Sequence, residues 1–166
     1  MIKLLLGLAI VLFCGFFGYF LSKKYRKRKE FFLQLSQFND RFLAEISYYK
    51  RPLSKFLTAN AYKGEFDVLL RDYYQTLKEE SAGGRRIFTI GKEELPFLTA
   101  DELSFVQDYF CTLGKGDTAS QKDYFSAAKA WLLESRQKSE AECKKYGDLY
   151  VKLGILVGLA ALILIV

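Results

Sequence analysis

The chain is apolar at both ends and charged in between, and no other feature restricts its fold as much. Leu4–Leu21 reads LLLGLAIVLFCGFFGYFL, 18 residues without a charge. At ~1.5 Å rise per residue such a helix reaches ~27 Å, close to the hydrocarbon thickness of a bilayer. Six cations follow within seven residues: Lys23, Lys24, Arg26, Lys27, Arg28 and Lys29. A cleaved secretory leader needs a shorter apolar core and a small-residue cleavage site. The basic run reads instead as a stop-transfer flank, so the segment is expected to remain as an anchor. The chain closes on Leu153–Val166, LGILVGLAALILIV, 14 apolar residues. That is short for a span. Val151 extends it, Lys152 can snorkel, and Tyr150 suits the interface. As a core helix it would need burial on every side of a small domain.

Charge sets the orientation. Lys3 precedes the first span and six cations follow it. The positive-inside rule then puts residues 23–150 in the cytoplasm and both termini outside. Cys14, Cys111 and Cys143 stay reduced under this arrangement. The expected layout is a transmembrane helix over 1–22, a basic juxtamembrane segment over 23–30, a cytoplasmic helical bundle over 31–133, a polar helical strut over 134–149 and a second transmembrane helix over 150–166.

The formal net charge of +6 belongs to the membrane flanks. With Lys3, the basic run and Lys152 set aside, 17 Lys and Arg face 19 Asp and Glu, a balance of −2. A nucleic-acid surface would spread cations over one face of the fold among exposed aromatics, so that class is excluded. The sequence has no histidine, which removes histidine triads, bases and metal ligands. No two of the three cysteines make a CxxC pair, so neither a zinc site nor a disulfide framework is indicated.

Between the ends the apolar period is helical, and the fold class is all-α. Phe31, Leu35, Phe38, Phe42, Ile46 and Tyr49 share one face of a helix expected to end at Arg51, because Pro52 disfavours helix before it. Pro52 then opens a short helix with Leu53, Phe56 and Leu57 on its apolar side. Glu65–Glu80 is a third helix, with Phe66, Leu69, Leu70, Tyr73 and Leu77 inward. Ile87–Ile90 suits a strand but has no partner, so residues 81–97 are expected as loop, with a short helix near Glu93–Leu98. Thr99 and Glu102 form a capping box for a helix lined by Leu103, Val106, Phe110 and Leu113. Thr118 and Gln121 suggest a second box, with Asp117 at the positive helix end. Beyond it, Tyr124, Ala128, Trp131 and Leu132 face the core. Glu134–Lys145 has almost no apolar face and reads as a solvated strut. It brings Glu140, Glu142 and Asp148 to the height of the basic run. Pairing between the two struts is one expectation, and contact of the run with anionic lipid is the other.

Little chemistry is available. Gly114-Lys115-Gly116 ends a helix, whereas a P-loop follows a strand. Glu45 falls near an apolar face; it is either a functional acid or the partner of a tyrosine, a lysine or a helix end. Cys111 reads as a small core residue. Neither catalytic nor cofactor nor metal residues are assigned. Gly154 and Gly158 form a GxxxG in the second span, and Cys14 and Gly18 offer small-residue packing on the first.

The order of these features resembles the stage III sporulation protein AB family. The segment Leu113-Gly114-Lys115-Gly116-Asp117, then Gln121, a long charged helix and Leu153-Gly154-Ile155-Leu156-Val157-Gly158-Leu159 is similar to the family's late segment. Glu45-Ile46, Tyr48 and Pro52-Leu53 resemble the end of its first helix. The resemblance implies a body similar to the cytoplasmic domain of the platform protein of type II secretion and type IV pilus machines. It implies a place in the mother-cell membrane facing the forespore, within the mother-cell-to-forespore channel needed for endospore formation. The implied partners are a secretion-type ATPase, the stage III sporulation AA protein, and the other membrane proteins of the channel. The expected docking residues sit at the membrane-distal corners: Tyr48, Lys50 and Arg51 after the first helix, and Lys115, Asp117 and Gln121 at the glycine break. For Asp117 and Gln121, helix capping alone is the simpler account. The rival readings are a two-span scaffold or sensor unrelated to sporulation, and a membrane-bound hydrolase using Glu45 or Cys111.

Overall fold

A stripe of Phe31, Leu35, Phe38 and Phe42, repeating at helical spacing, is at most 3% exposed. It organises everything around it. In the computed structural model, which describes residues 2–49, 51–83 and 87–165 (without the side chains of 2–10, 162, 164 and 165), this stripe belongs to helix α1, Ile2–Ala44. Helices α2 (Leu53–Ala59), α3 (Gly64–Ser81), α4 (Ala100–Thr112), α5 (Thr118–Glu142) and α6 (Asp148–Ile165) follow. Two single turns of π-helix, Glu45–Tyr49 and Cys143–Gly147, interrupt the series. The described residues contain no strand, and the chain is all-α.

The chain divides into two units. One is the body, Glu30–Arg136; the other joins the two ends, Met1–Lys29 and Gln137–Val166. The division therefore falls a few residues from the expected limits of the bundle at 31 and 133.

The body's core is aromatic. The ring of Phe38 lies 5.3 Å from that of Phe56, 5.8 Å from Phe66 and 6.3 Å from Phe110. Such edge and tilted pairs add about 0.5–1.5 kcal/mol each to their burial. α3 contributes Phe66, Leu69, Leu70 and Tyr73, and α4 contributes Val106, Tyr109 and Phe110. On α5 the fully buried aromatic is Phe125, while Tyr124 is half-buried; the 3.6-residue count tolerates that shift by one. Asn39 ties three helices together: it accepts from the Tyr109 hydroxyl (3.0 Å) and donates to the Phe125 carbonyl (3.1 Å). Buried polar ties of this kind fix one arrangement of an otherwise greasy core.

Four expectations are corrected. The stripe on α1 runs on to Ile46, which is partly buried against the core, but not to Tyr49: the π turn winds one extra residue and leaves Tyr49 66% exposed. No helix forms at Glu93–Leu98; two turns closed by Glu94 N–H to Gly91 and Leu98 N–H to Leu95 take its place. Lacking a strand partner, the extended residues before them bond to a side chain: Ile90 donates to Gln107 (2.7 Å) and Gln107 donates to the Phe88 carbonyl (2.8 Å). The α4 capping box forms as expected, but Thr118 and Gln121 do not make one. Asp117 caps α5 instead, accepting from the N–H groups of Ala119 and Ser120. Finally, the strut is not solvated all round, since Ser139 is 1% exposed and Glu142 is half-buried.

Among the described residues no helix is long and apolar enough to cross a membrane. The side chains of residues 4–10 in the first expected span, and of several residues near the end of the second, lie outside the described residues.

Candidate functional site

A cavity of the body lies at the corner where α1 gives way to α2; another, of about 290 Å³, lies between α2 and α3, lined by Leu57, Tyr62, Leu70 and Tyr74. The corner cavity measures about 260 Å³ and its walls are Phe42, Ile46, Leu53 and Phe56. Its polar lining is Glu45, Arg51, Thr118 and Gln121. Both predicted docking corners therefore contribute to one place: Arg51 from the first and Gln121 from the second. The π turn explains the opening, because it carries the chain off the α1 stripe just before Pro52 fixes the direction of α2. Gly114 closes the far side. It has φ +77°, and a Cβ there would meet Leu53 Cδ2 at 2.5 Å, so the break after α4 needs glycine twice over.

Glu45 is 4% exposed and its carboxylate is fully engaged by Arg51. Arg51 donates from Nε (2.8 Å), from a terminal nitrogen (2.7 Å) and from its backbone N–H (3.1 Å). This bidentate fork is the strong form of a charge-assisted bond. It holds the Glu45 carboxyl below the usual carboxylate range. Among the described residues its partner is this arginine, not a tyrosine, a lysine or a helix end. Arg51 also stacks over Tyr49, 5.1 Å from the ring centre. Tyr48 is 82% exposed, beside the cavity in sequence but not part of its lining. Lys50 lies outside the described residues. Lys115 is exposed, and its carbonyl accepts from the Gln121 amide at 3.2 Å. Asp117 is held below its ordinary range, first by the Ser120 hydroxyl and then by the α5 N–H groups. Capping thus accounts for Asp117 and, in part, for Gln121. Cys111 is half-buried and accepts from Gln107. Among the described residues no cluster of Cys, Asp and Glu could hold a metal.

The second unit has its own geometry. Gly18, Gly154 and Gly158 sit where α1 and α6 touch. A Cβ on Gly18 would run into the Tyr150 carbonyl, one on Gly154 into the Cys14 carbonyl, and one on Gly158 would meet Val11 Cα at 2.8 Å. The four small residues singled out in the two apolar ends are thus brought together, backbone against backbone. In the basic run, Arg28 pairs with Glu142 of α5, with side-chain exposures of 8% and 27%. Lys23, Lys24 and Arg26 are exposed, and Lys27 and Lys29 are half-buried. Sequence reasoning missed a tyrosine stack beside them. Tyr25 stacks on Tyr146 (5.3 Å between centroids) and on Tyr150 (6.0 Å), with Lys145 over Tyr146 at 5.1 Å. Aromatics flanking an apolar run on both chain segments were the available signal.

No curated protein and no solved structure matches the chain. A family model does: that of stage III sporulation protein AB matches residues 3–166. The match takes in the GxxxG of α6, the glycine break at 114–116 and the Glu45-to-Pro52 turn together. With nearly every residue of the chain inside it, the protein belongs to the stage III sporulation protein AB family and has its part in that stage of sporulation.

Proposed function

We propose that the protein is a non-enzymatic membrane platform in the mother-cell-to-forespore channel. In this proposal, its helical body stands in the mother-cell cytoplasm and receives a secretion-type ATPase, and its two ends are transmembrane helices. The family match carries the sporulation role. The membrane placement is supported by the apolar side chains that the two-helix unit leaves uncovered. Phe13 is 71% exposed, Phe16 70%, Phe20 64%, Leu156 63% and Ile163 77%. Water would not tolerate so large a patch, whereas lipid is its natural solvent. The basic run would then meet anionic headgroups at ~1 kcal/mol per cation. Two anchors packed through glycine resist tilting better than one, which suits a part that must bear load from a motor.

The corner cavity is the docking point we favour. It offers apolar walls for an anchor side chain and a fixed Arg51–Glu45 fork for polar register, and the uncovered ring of Tyr48 follows Glu45 by three residues without lining it. Aromatic and arginine residues around a small pocket are the usual composition of an interface centre. The acid–base pair is satisfied within the chain, and this favours binding over catalysis.

The test is recovery of the ATPase with the full chain from sporulating membranes. Wild type should bring it down. Arg51→Glu combined with Lys115→Glu should lower recovery about tenfold, the effect of losing ~1.4 kcal/mol of binding. Unchanged recovery would remove the corner as the docking point. Removal of the body by protease added to intact cells would overturn the topology.

A further inference from the structure

Two lines of residues in the two-helix unit converge on one place. Between α1 and α6 runs an apolar groove of about 230 Å³, lined by Phe13, Phe17 and Leu21 on one side and by Tyr150, Leu153 and Val157 on the other. Followed along α1, the stripe of Phe13 and Phe17 reaches Lys24 at a spacing of 4 and 11 residues, which returns to the same helix face after three turns. Lys24 is exposed and sits one turn, ~4.5 Å, beyond Leu21. Followed along α6, the groove ends at Tyr150, which stacks on Tyr25; Tyr25 stacks on Tyr146, and Lys145 lies over that ring. Lys145 too is exposed. The acid–base pair described for this unit, Arg28 with Glu142, lies further along the same α1 face. It takes that acid away from the two lysines.

The result is a slot with a dry, uncharged floor and two cations with an aromatic shelf at one end. We infer that it holds a single anionic phospholipid, one acyl chain in the groove and the phosphate between Lys24 and Lys145. A zwitterionic lipid could fill the groove equally well, but its own cation would meet the lysines with like charge. A neutral helix from a second copy could also cover the groove, yet it would leave the two ammonium groups without a partner. The inference rests on the membrane placement proposed above. It adds to it a defined stoichiometry and a headgroup preference, which a general basic flank does not have.

The experiment uses the full chain reconstituted in bilayers that contain spin-labelled phosphatidylglycerol or spin-labelled phosphatidylcholine. The measured quantity is the fraction of each lipid immobilised by the protein. Wild type should hold phosphatidylglycerol at least fivefold more tightly, about one lysine's worth of headgroup attraction. Lys24→Glu with Lys145→Glu should abolish the preference. Val157→Trp, which fills the groove while leaving the charges in place, should reduce immobilisation of both lipids. Lys23→Glu, about 100° round α1 from Lys24, should keep the preference and guards against a loss caused by charge alone. Equal holding of the two lipids by an embedded wild-type chain overturns the inference and leaves the membrane placement standing. A self-associated chain that excludes both lipids from the groove overturns it as well. A chain that carbonate washes off the membrane sinks the placement, and this inference with it.

Discussion

The body and the two-helix unit spend the same residue types in opposite ways. In the body, Phe32, Phe66 and Phe110 are 0% exposed. In the two-helix unit, Phe13 and Phe16 are about three-quarters of the way to full exposure, at 71% and 70%. The body excludes water by packing side chain against side chain, with Asn39 and Gln107 satisfying buried backbone groups. The other unit packs backbone against backbone through glycine and turns its large side chains outward. One unit carries its own apolar solvent; in the proposed placement lipid would supply it to the other. The lesson is that exposure of an aromatic residue has to be judged against how its helix packs. A small-residue seam with a greasy exterior is a complete arrangement in lipid and an incomplete one in water.

Substitutions at matched residues can break this contrast. The largest effect is expected at Phe38, 1% exposed and ringed by other aromatics. Phe38→Ala should cost about 3–5 kcal/mol, the usual loss for a core aromatic. The fluorescence of Trp131, stacked on Phe105 at 3.7 Å, would report the unfolding of the full chain in detergent. Phe16→Ala should leave that transition in place. Equal shifts for the two would mean that Phe16 is covered after all. A smaller effect is expected at Gly154. Replacing it with Val puts a side chain into the Cys14 carbonyl, and overpacking of that order costs ~1–3 kcal/mol. It should separate α1 from α6 and abolish a disulfide engineered as Arg28→Cys with Glu142→Cys, while the Trp131 transition stays where it was. A cross-link that still forms would show that the seam yields.

How much of this could be read beforehand differs between the units for a physical reason. Helical spacing identifies an amphipathic stripe, so Phe31 to Phe42 and Phe66 to Tyr73 were legible, as was the Thr99–Glu102 box. Spacing fails where the helix changes its own period. The π turn at Glu45–Tyr49 displaced Tyr49 from the inner face, and no local residue pattern announces a wider turn. It fails too where a side chain substitutes for a secondary-structure partner, as Gln107 does for Phe88 and Ile90. At the candidate corner, Arg51 and Gln121 were chosen separately, each for its place beside a break. That they border one cavity depends on tertiary packing of α1, α2 and α5, which no local spacing encodes. The Arg51–Glu45 fork was missed because residues six apart on a regular helix lie about 120° round the axis and nearly two turns along it, and only the π turn and Pro52 fold that interval back on itself.

The two acid–base pairs sharpen the comparison further. Glu45 and Arg51 are six residues apart, and Arg28 and Glu142 are 114 apart. Breaking the second should act on how α1 meets α5, whereas breaking the first should act only on the corner. The first also carries a pH signature. Arg51 holds the Glu45 carboxyl below its ordinary value, so the folded state binds a proton less readily there than the unfolded chain does. Its contribution to stability is therefore complete above the unfolded carboxyl value, near ~4.3, and is lost as pH falls through the lower folded value. Glu45→Gln should unfold earlier than wild type at pH 7, by a small margin because Arg51 faces solvent. The two should converge as the pH drops below about 4. A difference that persisted or grew in acid would mean that Glu45 is held by shape and not by charge, and that the fork could not supply polar register to a docking partner.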